Sequence, residues 1–72
     1  STMRMYVEPP KVPFMALDKY SQESGMPMTT LRDQIRAGKL IIKNKEKRGE
    51  KTQVNMIAMH EIAAREAMQV LG

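Results

Sequence analysis

Thr29, Thr30, Arg32 and Arg36 fall within eight residues, and Lys43, Lys45, Lys47, Arg48 and Lys51 within nine. Guanidinium groups make two-point hydrogen bonds to phosphate or to the edge of a guanine, and threonine bonds phosphate oxygen or touches a thymine methyl. Ammonium groups on flexible stems act as point charges toward phosphate. This is the chemistry of recognising a polyanion, not of making or breaking bonds. The chain offers no nucleophile–base pair, no phosphate-cradling glycine loop and no convergent carboxylate pair, so no catalytic residue is assigned. It has no cysteine, and His60 is its one histidine. With no partner at ligand spacing, His60 is expected to pack or to meet a partner protein; no metal and no cofactor is assigned. Asp33 stands among the arginines. It repels phosphate, so it either accepts from a cytosine amino group or holds Arg32 or Arg36 in position.

The charge is concentrated where these residues lie. Residues 32–51 hold eight basic side chains against three acidic, a net +5, while the rest of the chain holds four basic and five acidic, a net −1. A contiguous basic third raises the local concentration of a polyanion. The bland alternative is a solvated lysine-rich loop, common in soluble proteins. Seventy-two residues form one domain at most, burying about 60% of the surface of the unfolded chain. Without disulfides or metal, the fold must rest on compact helix packing, helped by oligomerisation. No apolar run reaches the length of a membrane span and no signal-peptide pattern is present, so a soluble, cytoplasmic protein is expected.

Two short helices and a turn are needed to position the arginines. The first is expected over Leu17–Ser24, with Leu17, Tyr20, Ser21 and Ser24 on one face and Asp18 near its positive end. Ala16 is a poor cap for it. Gly25 permits the left-handed backbone that ends it, and Pro27 is preset for the start of the next. The second helix is expected over Met28–Ala37 and closed by Gly38, with Met28, Leu31 and Ile35 inward. Its outward face then carries Thr29, Thr30, Asp33, Arg36 and Ala37, with Arg32 on the flank. Lys39–Lys43 and Thr52–Asn55 read as strands around the polar run Asn44–Lys51, a hairpin with a basic tip. The last helix is expected over Met56–Leu71, capped by Asn55 and ended at Gly72. Its apolar face is too wide for a helix that only packs on the other two, so Ile62, Met68 and Leu71 are assigned to an interface between protomers or with another protein. The eight methionines are deformable packing material.

Upstream, residues 1–11 read as an extended arm in which Met3, Met5 and Val7 alternate with Arg4, Tyr6 and Glu8 until Pro9-Pro10 interrupts. Ser1-Thr2, ahead of Met3, reads as a tag remnant. Val12–Met15 resumes an extended path, with Phe14 as an expected core anchor. Residues 12–72 form the folded domain. The fold class is thus mostly α with a small β-hairpin wing, a winged helix-turn-helix of three helices, the arrangement that places a second helix in the DNA major groove.

Tyr20-Ser21, Gly25-Met26-Pro27, Thr30-Leu31-Arg32, Ile35 and Gly38-Lys39-Leu40, followed by Val54-Asn55-Met56 and an alanine-rich helix, resemble the Cox/Apl-type regulators and excisionases of temperate bacteriophages. The resemblance spans roughly residues 12–70, on a framework shared with MerR-type and other excisionase-like proteins. It implies a winged-helix protein that binds repeated direct sites on double-stranded DNA, assists phage integrase in excision and represses a lysogeny promoter. It also implies head-to-tail homo-oligomers that bend the DNA. Three departures bear on helix packing: Ser21 where alanine is usual, Glu23-Ser24 where apolar residues are common, and Pro27 in place of a serine cap. Two other functions remain open at this point, a plain transcriptional regulator without a recombination role and a protein-binding adaptor.

Overall fold

The computed structural model describes residues 8–72; the alternating arm, save for its last residues, and Ser1-Thr2 lie outside them. Residues 8–13 carry no helix or strand. The elements run β1 (Phe14–Ala16), α1 (Leu17–Ser24), α2 (Met28–Arg36), β2 (Gln53–Asn55) and α3 (Met56–Leu71). Three helices with a small antiparallel β element make a winged helix-turn-helix, as the spacing of breakers and apolar residues led one to expect.

The helix ends follow the local chemistry. Gly25 takes φ +76° and donates to the Ser21 carbonyl, closing α1. Ala16 gives α1 no side-chain cap; the Leu17 N–H donates instead to the Thr52 carbonyl at 3.0 Å, so pairing to a distant segment fixes the helix start. Ser21 and Ser24, which depart from the resembled pattern, tie down the turn. The Ser21 hydroxyl donates to the Met26 carbonyl at 2.6 Å, and the Met26 N–H donates to Ser24 Oγ. α2 stops one residue short of the expected Ala37. Gly38 at φ +75° lets the Gly38 and Lys39 N–H groups donate back to the Ile35 and Gln34 carbonyls, a Schellman closure. Asn55 caps α3 by accepting from the Ala58 N–H at 3.0 Å.

The strands depart from expectation. β2 pairs antiparallel with β1, Met15 opposite Val54, a pairing across the chain that no local pattern announced. On the other side of β2 the expected strand over Lys39–Lys43 is reduced to one bridge, Ile42 with Val54. The physical reason lies in α2: the Lys39 and Leu40 N–H groups are already used on the Gln34 carbonyl. The hairpin arms are joined only where the Asn55 N–H donates to Ile41 and the Lys43 N–H to Gln53.

Leu17, Leu31, Leu40 and Val54 form the buried core, with Leu31 and Val54 fully enclosed, and Tyr20, Met26, Met28, Ile35, Met56 and Met59 packed around them. Phe14 is not among them. It is half-buried, and the Lys43 ammonium sits 5.4 Å from its ring centroid. α3 also differs from a core helix packed on α1 and α2. It buries no residue fully, and it reaches the core through Met56 and Met59 in its first turns, where Met59 Sδ accepts from the Ile41 N–H. From Glu61 onward it runs outward, which accounts for dimensions of 46 × 22 × 20 Å.

Candidate nucleic-acid interface

α2 carries its arginines on the side away from Leu31. Thr29, Arg32, Asp33 and Arg36 are exposed, and Thr30 is half-buried. The Arg36 guanidinium donates to the Asp33 carboxylate, three residues earlier, with both side chains about 70% exposed. Of the roles open to Asp33, holding Arg36 is the one the geometry displays. Arg32 enters no ion pair among the described residues and is the freer of the two.

The wing divides its cations between two faces. Lys45 and Lys51 line a cleft of about 420 Å³ together with Arg32 and Arg36 of α2. Its apolar lining comes from Leu17, Met28, Ile35 and Ile42; Asp18 and Thr52 complete it. Four basic residues from two segments of the chain, α2 and the wing, are therefore brought to one groove. Lys47 and Arg48 are exposed at the tip and do not line it. Lys43 lies on the other face, in a cleft of about 390 Å³ with Phe14, Ile41 and Glu46.

Lys43 is also engaged by Glu50, a residue that charge counting passes over. The Lys43 ammonium lies 3.6 Å from Glu50 Oε1, and the two side chains are only 29% and 16% exposed. Glu50 Oε2 accepts from the Glu46 N–H at 2.8 Å and the Lys47 N–H at 3.3 Å. The Glu46 N–H, above all, holds the Glu50 carboxyl below the usual glutamate range; the Lys47 N–H and Lys43 act in the same direction, against a counter-effect of partial burial. The sequence signal for this was an acidic residue, three and four positions after two backbone donors, inside a basic loop.

Comparison with protein-family models, curated proteins and solved structures finds no match. The site is therefore read from its own geometry.

The three residues assigned to an interface, Ile62, Met68 and Leu71, are 37%, 37% and 49% exposed. Ile57 and Val70 add to them at 56% and 84%. At about 100° per residue, Ile57, Ala64, Met68 and Leu71 share one side of α3, with Ile62 on the other. His60 is half-buried on the same helix. Among the described residues no three His, Asp or Glu side chains gather as a metal site, and no helix is long and apolar enough to cross a membrane.

Proposed function

We propose that this chain is a sequence-specific, double-stranded-DNA-binding protein of a temperate phage or prophage, working at the DNA of its bacterial host. The observation that carries the reading is the cleft between α2 and the wing, lined in common by Arg32, Arg36, Lys45 and Lys51. A helix lying in the major groove leaves the sugar-phosphate backbone running beside it, where a wing meets it. On this reading the first turns of α2, with Thr29, Thr30 and Arg32, read base edges. Arg36, held by Asp33, and Lys45 and Lys51 contact the backbone, while Lys47 and Arg48 reach phosphate farther along. Lys43, Phe14 and Glu50 set the shape of the wing. The chain performs no chemistry and needs no cofactor.

The resemblance to Cox/Apl-type regulators supports a finer reading: a recombination directionality factor and repressor that binds several adjacent sites, bends the DNA and helps integrase assemble for excision. The exposed apolar side chains along α3 supply a surface for contact between neighbouring copies. A head-to-tail contact of this kind is heterologous and propagates along a row of sites. The same surface favours, as the second reading, an adaptor that docks on another protein.

Selection of bound duplexes from a random pool tests the proposal. A short motif, followed by stepwise occupancy when that motif is repeated in direct orientation, is the expected outcome. Recovery of no motif contradicts sequence-specific binding and brings the adaptor forward. Adding the protein to an integrase reaction on repeat-bearing attachment DNA separates the excisionase from a plain regulator, because only the former shifts the reaction toward excision.

A further inference from the structure

Glu50 is the one half-buried residue in a tip that is otherwise exposed from Asn44 to Lys51. Its two carboxylate oxygens divide the work: Oε2 gathers the Glu46 and Lys47 N–H groups, and Oε1 faces the Lys43 ammonium. The Glu50 N–H in turn donates to the Lys47 carbonyl at 3.3 Å, so residues 46–50 are closed on themselves. Lys43 also lies over Phe14 of β1, which connects the tip to the sheet through one cation.

We infer that Glu50 is a positioning residue for DNA binding: its carboxylate clamps the wing tip in the shape that presents Lys45 and Lys51 to the cleft facing α2. The clamp deepens the functional reading above and rests on it. It makes an acidic residue necessary in a surface that works by positive charge. Counting charge alone gives the opposite expectation, that removing any carboxylate from a basic loop strengthens attraction to phosphate. The charged groups around the clamp are Lys43 from the arm entering the wing, Glu46 and Lys47 within the tip, and Arg48 and Lys51 beside it; β1 brings only the uncharged Phe14 ring.

Glu46 supplies the matched control. It is exposed, and its carboxylate enters no hydrogen bond or ion pair among the described residues. Glu46→Ala and Glu50→Ala each delete one negative charge from the same loop. Glu46→Ala is expected to bind duplex a few-fold more tightly. Glu50→Ala is expected to bind about ten- to a hundredfold more weakly, the scale of losing hydrogen bonds to a charged acceptor, with Glu50→Gln between them. Core amides at Leu31 and Val54 report that each variant is folded. A second readout needs no DNA. In the wild type the Glu46 and Lys47 amide resonances shift as the Glu50 carboxyl titrates, with a midpoint below the ordinary glutamate value, and in Glu50→Gln those shifts vanish. Equal tightening by Glu46→Ala and Glu50→Ala, or amides that ignore the titration, overturns the clamp. Should no form bind any duplex, the functional reading falls and the amide titration decides the clamp alone.

Discussion

Arg36 is partnered before any ligand arrives, whereas Arg32 is not, and this divides two residues that the sequence presents as equals. Arg36 is neutralised in part by Asp33 and Arg32 is not; on the proposed reading Arg32 then makes a two-point contact with a base and Arg36 contacts a backbone oxygen. Arg32→Ala should therefore cost about 1–3 kcal/mol and relax preference at one position of the site. Lys51→Ala should weaken binding to all duplexes alike and reduce the salt slope by about 1. Anisotropy titrations with matched and single-substituted duplexes check both. Glu50 adds a pH dependence of definite sign. Its carboxyl titrates lower in the folded protein than in the unfolded chain. The stabilisation it gives the tip is thus complete above the ordinary glutamate range and lost as pH falls through the lowered folded value. Hydrogen exchange at Glu46 and Lys47 should quicken in acid, relative to core amides, in the wild type but not in Glu50→Gln. Residue types alone placed the cations; which ones are pinned required the fold. Lys43 is assigned with the wing cations by composition, yet in space it belongs to Phe14 and Glu50.

At the scale of elements, the helices were legible because their ends are written locally. Gly25, Pro27, Gly38 and Asn55 each act within a few residues, and the stripe of Met28, Leu31 and Ile35 meets the core as its spacing implied. The strands were not, because each is only three residues long and exists through its partner. β1 is a strand because Gln53–Asn55 lies beside it, and the first arm of the wing is short because α2 claims its N–H groups. Phe14 was misplaced for the same reason: its position follows from sheet pairing, not from being the largest apolar residue in its neighbourhood. Gly38 gives a test confined to the backbone. A Cβ there would meet nothing within 4 Å, but φ is +75°. Gly38→Ala should cost about 1–2 kcal/mol from left-handed strain alone, read as a lower urea midpoint with an unchanged slope.

The whole molecule is a small core with a helix extending from it. α3 is about 24 Å long, and from Ile62 onward it leaves Ile62, Met68, Val70 and Leu71 exposed. The sequence showed that α3 has more apolar surface than a core helix uses, but the direction in which it leaves the core depends on Met56 and Met59 packing against that core. Met68→Ala with Leu71→Ala should shift the unfolding free energy by less than about 0.5 kcal/mol, as for exposed positions. The same pair should convert stepwise occupancy of tandem sites into independent binding, measured by titrating one-site and three-site duplexes. On the proposed reading the cleft between α2 and the wing holds the backbone of duplex DNA. The most direct test is the affinity of the protein for a labelled duplex as salt is raised from about 50 to about 200 mM. With Arg36, Lys45, Lys47, Arg48 and Lys51 engaged on phosphate, affinity should fall about five-hundredfold, and charge-reversing Lys45 and Lys51 together should abolish binding. Absent binding at low salt, or affinity that neither salt nor that double variant alters, would contradict the account.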